Sequence, residues 1–371
     1  MQAHEYEKRI LIAVSGLSPQ ILTETLYGLA VKQDFIPTEI HLITTKKGAR
    51  LASKSLLEDD GKFYTLCKDY QLPEIDFSQQ NIHVIQDENG EELEDIRTPK
   101  QNEAAADFMT NIIKDLTSDE GSAVHVSIAG GRKTMGYYLG YALSLFGRSQ
   151  DRLSHVLVSE GYEGHRDFYY PTPYKIEGFK TRDGKDLDTS KAEVTLAEIP
   201  FIRMRQDMPK RLLQGKVGFS DTINLARKAE LTPELIIDLE NKKISANGEV
   251  FTMPAGVIAF YSWLLKQTCD SQEALEKPLE VEGNVQYAQD FITDYRTVVG
   301  EMGAETTENA LSKGMEGAFF AEKITRINKQ LKDNLGERLA KAYLIKSSRH
   351  HGAMFYATDL LAEQVRFATI K

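Results

Sequence analysis

The segment Ser127-Ile-Ala-Gly-Gly-Arg-Lys-Thr-Met-Gly136 carries the residue types of a phosphate-binding loop. Gly130 and Gly131 let a ligand approach the backbone closely, and the helix predicted to follow points its free amides and positive dipole end at the same place. Arg132 and Lys133 add positive charge, and Thr134 adds a hydroxyl. A structural turn with two solvated basic residues is the alternative, but similar content in three other loops favours the phosphate site.

Those three loops also follow predicted strands. They are Ser15-Gly-Leu-Ser-Pro-Gln20, Thr44-Thr-Lys-Lys-Gly48, and Asp95-Ile-Arg-Thr98 with Asn102 at a helix start. Ligands of open α/β sheets bind at the carboxyl ends of the strands, so we predict one ligand site at this edge. The predicted binding residues are Gly16, Ser18, Gln20, Thr44, Thr45, Arg97, Asn102, Ser127, Gly130, Gly131, Thr134 and Met135.

Common cofactor and nuclease motifs do not fit the chain. A Walker A loop needs GxxxxGK[ST], and Arg132 stands where its second glycine belongs. Arg148 with His155 has the loose spacing of an RNase motif, which we interpret as coincidence. Asp238, Glu240 and Lys242 resemble a fragment of a metal-nuclease pattern, which we interpret as a hairpin turn with solvated charges. The eight histidines show no metal-ligand spacing. We therefore predict no cofactor and no metal.

Strands and helices alternate through the first half of the chain. Apolar runs predict strands over residues 10–14, 39–44, 81–86, 123–128 and 154–158, with helices over 18–32, 48–70, 102–116 and 134–146 between them. This order predicts an α/β, Rossmann-like parallel sheet with helices on both faces. A strand-like run over 194–204 completes a first domain of residues 1–205, and residues 206–231 are predicted to be a linker.

Residues 232–371 are predicted to form a winged helix-turn-helix domain. Short hairpins precede three helices, the last over about 317–335, and a terminal hairpin pairs 343–345 with 354–356. Residues 313–352 carry nine Lys or Arg against four Asp or Glu. Arg326 and Lys329, opposite the apolar face of the last helix, and Arg349 in the wing could meet double-stranded DNA. A dimerisation module is the alternative, and the sequence leaves both open.

Composition limits the cellular setting. The 371 residues are 41% hydrophobic and carry a net charge of −10, so an anion site must be a local basic or amide-rich pocket. Cys67 and Cys269 allow no disulfide framework or metal knuckle, which favours a reducing compartment. No run is long enough for a membrane span, and the first apolar run is too short for a signal peptide. We expect a cytoplasmic protein that contacts no membrane.

Several motifs together resemble a known family. They are Ile10-Leu-Ile-Ala-Val-Ser-Gly-Leu-Ser-Pro-Gln-Ile-Leu-Thr-Glu-Thr-Leu26, Asp95-Ile-Arg-Thr98 with Asn102-Glu-Ala-Ala-Ala-Asp107, His125-Val-Ser-Ile-Ala-Gly-Gly-Arg-Lys-Thr-Met-Gly136, Asp151-Arg-Leu-Ser-His-Val-Leu-Val158 and Phe168-Tyr-Tyr-Pro-Thr-Pro173. Over about residues 8–175 the chain resembles the CARF (CRISPR-associated Rossmann fold) family with ring-nuclease activity. The C-terminal part resembles the winged helix of some members. The resemblance implies a homodimer that binds a cyclic oligoadenylate, a second messenger of type III CRISPR immunity, across its two-fold axis.

The resemblance carries over Ser15, Gln20, Arg132 and Lys133 as functional residues. The expected reaction is metal-independent: a ribose 2′-OH attacks the adjacent phosphate and leaves a 2′,3′-cyclic phosphate. Arg132 would grip phosphate oxygens, Lys133 would neutralise charge or protonate the leaving oxygen, and Ser15 would orient the 2′-OH. No general base is evident. A ring-responsive DNA-binding regulator and a passive messenger binder remain alternatives, and the ring size cannot be read from the sequence.

Overall fold

The computed structural model describes residues 5–33, 35–181, 183–213, 218–269 and 273–370. Two units divide the chain. The first is Met1–Arg205 with Lys216–Asp221, and the second is Gln206–Gly215 with Thr222–Lys371. Residues 214–217 of the predicted linker lie outside the described ranges, and helices occupy part of the rest of it.

A six-stranded sheet in the order β3-β2-β1-β4-β5-β6 forms the centre of the first unit. Its first five strands are parallel, but β6 runs antiparallel to β5. The sheet is therefore mixed, which corrects the prediction of a parallel sheet. The predicted strand over 194–204 is also too long, because pairing ends at Glu198. The strands are β1 (Lys8–Val14), β2 (Glu39–Thr44), β3 (Ile82–Val84), β4 (Ser122–Ser127), β5 (Arg152–Val158) and β6 (Val194–Glu198).

Among the described residues, five α-helices lie between these strands. Single π-helical segments, Gly28–Lys32 and Ser53–Leu57, extend the first two. The single helix predicted over 48–70 is wrong, because Asp59 adopts a left-handed φ of 49° and a new helix starts after Gly61. A Cβ on Gly61 would lie 2.2 Å from the Leu56 carbonyl oxygen, so this break requires glycine. The helices are α1 (Gln20–Tyr27), α2 (Lys46–Ala52), α3 (Lys62–Asp69), α4 (Pro99–Leu116) and α5 (Lys133–Phe146).

Both faces of the central strand are buried. Leu11 of β1 shares an apolar cluster with Leu22 of α1 and Phe63 of α3. Ile10 and Ile12, which alternate with Leu11, point to the opposite face and are also buried. Each such side chain contributes about 1.5–3 kcal/mol by leaving water. The strand order reverses between β1 and β4, so the sheet has its switch point there.

The second unit combines two small sheets with helices. The sheets have the orders β13-β7-β8-β9 and β10-β12-β11. Glycines with positive φ interrupt two of the helices, Gly300 in α9 and Gly336 in α10. Phe260, Trp263 and Phe320 form an aromatic core. The elements are α6 (Lys210–Leu213), α7 (Phe219–Lys228, which crosses the division between the units), β7 (Leu235–Asp238), β8 (Lys243–Ala246), β9 (Glu249–Thr252), α8 (Ala255–Thr268), β10 (Leu275–Glu276), α9 (Val285–Ala310), α10 (Gly317–Ala340), β11 (Lys346–His350), β12 (Ala353–Ala357) and β13 (Val365–Phe367).

The terminal hairpin forms, but with a different first strand. Tyr343 and Ile345, predicted to be in the strand, are buried and precede it. Strand β11 instead consists of exposed residues that pair from Lys346 to His350 with β12. His351 and Gly352 make the turn with positive φ angles. The apolar residues Tyr343 and Ile345 are buried in the core, and the polar residues of β11 form the hydrogen-bonded pairing with β12. No helix in the described ranges has the length and apolar character needed to cross a membrane.

Candidate functional site

Three loops meet closely at the switch point of the first sheet. A Cβ on Gly16, after β1, would lie 3.4 Å from Gly131 Cα, after β4. A Cβ on Gly48 of α2 would lie 2.5 Å from the Gly16 carbonyl oxygen, and one on Gly130 would lie 2.4 Å from the Val14 carbonyl oxygen. Glycine is therefore required at positions 48 and 130, whereas a Cβ at position 16 would make an ordinary contact, and the close approach at Gly130 holds the β4–α5 loop at the sheet edge.

The N-terminus of α5 is open to an anion. Gly131 has a φ of 74°, and the Arg132 amide donates to Met135 Sδ at 3.4 Å. The amides of Lys133 and Thr134 have no hydrogen-bond partner among the described residues. Uncapped amides at a helix N-terminus, together with the helix dipole, attract phosphate groups.

The N-terminus of α4, by contrast, is closed by its own residues. Thr98 Oγ1 accepts from the Gln101 amide at 3.2 Å, and Gln101 Oε1 accepts from the Thr98 amide at 3.1 Å. Pro99 occupies the first helical position, where no amide is needed. This capping box fixes the start of α4, so Arg97 and Asn102 keep a defined place beside the open end of α5.

The two helix starts border one open cavity of about 820 Å³. Three residues with cationic side chains, Arg97, Arg132 and Lys133, take part in its lining, and no Asp or Glu is among the described residues that line it. A cavity with this charge and size suits an extended polyanion rather than a single inorganic ion. The lining residues are Ile96, Arg97, Thr98, Pro99, Asn102, Gly131, Arg132, Lys133 and Thr134.

Arg132 is held by a carboxylate outside the cavity lining. Its Nε donates to Asp95 Oδ1 at 2.9 Å, and its Nη2 donates to Asp95 Oδ2 at 2.7 Å. Arg97 Nε donates to the same Oδ2 at 2.9 Å. The Arg132 guanidinium, and then that of Arg97, hold the pKa of the Asp95 carboxyl well below its usual range. The pair therefore stays ionised near neutral pH.

Comparison with protein families places the chain. Residues 18–230, more than half of its length, match the family described as CRISPR-associated protein NE0113 (Cas_NE0113). The chain belongs to this CRISPR-associated family. The matched stretch contains all the residues that line the cavity. No curated protein matches the chain.

Six of the predicted site residues line the cavity. Several other predicted residues form hydrogen bonds inside the protein through their hydroxyl groups. Ser127 Oγ lies 3.1 Å from Thr25 Oγ1, and both are buried. Thr44 Oγ1 donates to the Ser15 carbonyl oxygen at 2.8 Å, and Thr45 caps α2 by accepting from Gly48. These contacts support the loops behind the cavity. The six at the cavity are Arg97, Asn102, Gly131, Arg132, Lys133 and Thr134.

Ser15 and Gln20 lie apart from the cavity lining. Ser15 is fully buried, and its Oγ has no hydrogen-bond partner among the described residues. Gln20 Nε2 donates to the Arg166 carbonyl oxygen at 2.8 Å, while its buried Oε1 is also unpartnered. Ser18 is exposed in the loop between them. Because Ser15 is buried and is not among the cavity-lining residues, the role predicted for it stays a prediction.

Two carboxylates near this sheet edge were not among the predicted site residues. Asp95 lies in a quoted motif, but the sequence gives no sign of its pairing with Arg132, 37 positions away. Glu24 lies one turn after Gln20 in α1 and is buried. Burial, and then the charge of Glu163, raise the pKa of Glu24 to about 7. A single sequence does not show that a glutamate in the first turns of an amphipathic helix is buried or that its pKa is raised.

Arg148 and Asp238, from the two discounted nuclease motifs, have partners within the protein. Arg148 and Asp151 form a buried ion pair at 2.9 Å, and Asp151 Oδ1 also accepts from the Val124 amide. Asp238 is buried rather than solvated as predicted, and it accepts from Asn241 and from the Ile370 amide. Among the described residues, no group of three or more His, Cys, Asp or Glu is arranged to hold a metal ion.

The predicted DNA-contacting residues are exposed in the second unit. Arg326 of α10 pairs with Glu322 at 2.6 Å. Lys329 of α10 and Arg349 of β11 are exposed and have no side-chain partner within the described ranges. The exposure of these cations is compatible with a nucleic-acid surface.

Proposed function

We propose that this CRISPR-associated protein is a ring nuclease that binds and cleaves a cyclic oligoadenylate. The observation that carries the proposal is the open N-terminus of α5. Lys133 and Thr134, whose amides have no hydrogen-bond partner among the described residues, line one cavity together with Arg97 and Arg132. In a CRISPR-associated family, the resemblance to CARF proteins makes a cyclic oligoadenylate the polyanion that best fits this site.

The proposed reaction is an internal transesterification. A ribose 2′-oxygen attacks the neighbouring phosphorus, the bond from phosphorus to the 5′-oxygen breaks, and a linear product with a 2′,3′-cyclic phosphate results. Arg132 and the α5 amides bind the phosphate oxygens that gain charge in the transition state. Lys133 supplies the proton that the leaving 5′-oxygen takes up. The proton of the 2′-OH passes to a base that we leave unassigned.

The proposed active form is a homodimer in the cytoplasm. A cyclic ligand with rotational symmetry fits an isologous two-fold interface, because each half of the ring then meets the same residues. Titration calorimetry with cyclic tetraadenylate and cyclic hexaadenylate tests this directly. We expect one ring per two chains for the preferred size. One ring per chain would contradict the dimeric site.

Cleavage is tested by the rate of linear-product formation from the same rings in the wild type and in Lys133→Ala. We expect the wild type to convert the ring and the variant to bind it but convert it slowly. Binding of the ring without conversion by the wild type would indicate a passive binder or a regulator instead. Failure to bind any ring would overturn the proposal as a whole.

A second candidate function rests on the C-terminal hairpin. We propose that the second unit is a winged helix, with α10 as its recognition helix and β11–β12 as its wing. The exposed Lys329 and Arg349 favour a ring-responsive DNA-binding regulator. Charge reversal of Arg326 and Lys329 together should abolish salt-dependent duplex binding and leave ring cleavage intact. If the wild type binds no duplex at low salt, with or without the ring, this candidate fails.

A further inference from the structure

Asp95 is saturated by donors from two arginines and the backbone. Oδ1 accepts from Arg132 Nε at 2.9 Å and from the Ile96 amide at 2.8 Å. Oδ2 accepts from Arg132 Nη2 at 2.7 Å and from Arg97 Nε at 2.9 Å. A bidentate fork of this kind fixes the plane of the guanidinium as well as its distance from the carboxylate.

The local chain explains why Asp95 and Arg97 share one side. Ile96, between them, is buried, and in an extended segment alternate side chains point in opposite directions. A short hairpin precedes them: Gln86 bridges Glu92, and the Leu93 carbonyl oxygen accepts from the Lys46 amide. The capping box at Thr98 follows them. Asp95 is therefore anchored by the backbone contacts on both sides of it. The Arg132 guanidinium, by contrast, is at the end of a long and flexible side chain.

The geometry distinguishes two edges of the Arg132 guanidinium. Asp95 takes the edge formed by Nε and Nη2, while Nη1 has no partner among the described residues. Arg132 lines the cavity, but Asp95 does not. The carboxylate therefore contacts the guanidinium from outside the cavity lining. The edge that carries Nη1 remains available to a ligand.

We propose that Asp95 is a positioning residue, which holds the Arg132 guanidinium so that its free edge is ready for a phosphodiester oxygen of the ligand. The role rests on the proposed function of the cavity. The ion pair with Asp95 already restricts the Arg132 side chain before a ligand binds. Without Asp95, Arg132 would lose that side-chain freedom each time a ligand binds. That ordering typically weakens binding by roughly threefold to tenfold per side chain.

The sign of the effect separates positioning from simple electrostatics. Removing a negative charge beside a polyanion site should strengthen anion binding if Asp95 acts only through its charge. Loss of a positioning contact should weaken binding instead. Asp95→Asn keeps the size of the side chain while removing its charge and one acceptor. Glu94→Gln is the matched control, because Glu94 is adjacent, exposed and paired with Arg50 rather than Arg132.

The experiment has two arms with independent readouts. The first measures modification of Arg132 by phenylglyoxal, followed by peptide mass spectrometry, in the absence of any ligand. The second measures the affinity for cyclic tetraadenylate, cyclic hexaadenylate and inorganic tripolyphosphate by calorimetry. We expect Asp95→Asn to modify several-fold faster at Arg132 and to bind the anions roughly threefold to tenfold more weakly. Glu94→Gln should match the wild type in both arms, and Asp95→Glu should recover part of the affinity.

The outcomes separate this proposal from the proposed function. Equal Arg132 reactivity in the wild type and Asp95→Asn, or anion binding by Asp95→Asn that is as tight as in the wild type or tighter, overturns the positioning role. If the wild type binds tripolyphosphate but neither ring, the ring-nuclease function fails, while Arg132 reactivity and tripolyphosphate affinity still decide the role of Asp95. If the wild type binds none of the three, both proposals fail.

Discussion

The buried carboxyl of Glu24 predicts a specific dependence of stability on pH. Its pKa is raised from 4.5 to about 7 in the folded chain, first by burial and then by the charge of Glu163. The folded state therefore keeps a proton on Glu24 that the unfolded state releases as pH rises from 4.5 to 7, and the contribution of Glu24 to stability falls across that window. A shift of this size corresponds to about 3 kcal/mol.

The variant Glu24→Gln removes this cost, because its side chain stays neutral. Relative to the wild type, we expect it to gain about 2–3 kcal/mol in free energy of unfolding between about pH 5 and about pH 8. Urea unfolding followed by circular dichroism measures the difference. Trp263 is the only tryptophan and lies in the second unit, so its fluorescence reports that unit separately. A difference between variant and wild type that does not change with pH would refute the reasoning.

Three further predictions concern other groups. Asp151→Ala should lower the free energy of unfolding by about 3–5 kcal/mol, because it leaves the Arg148 charge buried and unpaired; a loss under about 1 kcal/mol in urea unfolding would contradict this. Burial, and then the charge of His41, lower the pKa of His83 to about 4, so the contribution of His83 to stability should fall as pH drops from 6.5 towards 4, opposite in sign to that of Glu24. His83→Gln should flatten that slope in thermal melts, and an unchanged slope would count against it. Lys133→Ala should slow ring cleavage by about 10²–10³ with ring affinity within a few-fold; cleavage at the wild-type rate would show that Lys133 has no such role.

The alternation of strands and helices in the first unit could be predicted from the sequence. Buried strands read as continuous apolar runs, and the strand over residues 39–44 was predicted with the bounds it has. The antiparallel direction of β6 could not be predicted, because strand direction depends on where the chain returns. The break between α2 and α3 could not be predicted either, because the sequence pattern does not reveal that Asp59 adopts a positive φ.

The sequence predicts which basic residues line the cavity better than it predicts how the residues of the site contact one another. The basic residues after β4 do line the cavity, because the loop that carries them lies at the carboxyl edge of the sheet. Sequence could not show that Thr44 and Ser127 direct their hydroxyls inward, or that Asp95 holds Arg132. Those contacts join segments far apart in the chain, so no local spacing records them.

The second unit shows how an apolar run can mislead. The run Tyr343-Leu-Ile345 resembles a strand, but the Tyr343 side chain is buried. The backbone carbonyl oxygen of Tyr343 accepts a hydrogen bond from Tyr261 OH at 2.6 Å. The ladder instead forms between the polar residues of β11 and the mixed residues of β12. Strands β10 and β13, of two and three residues, are too short for a periodic signal.

The central claim is that the cavity cleaves a ring through the attack of the ring's own 2′-oxygen. Incubation of the wild type with cyclic oligoadenylates in ¹⁸O-labelled water containing EDTA, followed by chromatography and mass spectrometry, tests it most directly. Transesterification rearranges bonds without adding water, so we predict a first product that elutes apart from the ring, has the same mass and carries no ¹⁸O. Intact ring after long incubation, or a first product with an added ¹⁸O atom, would contradict the claim.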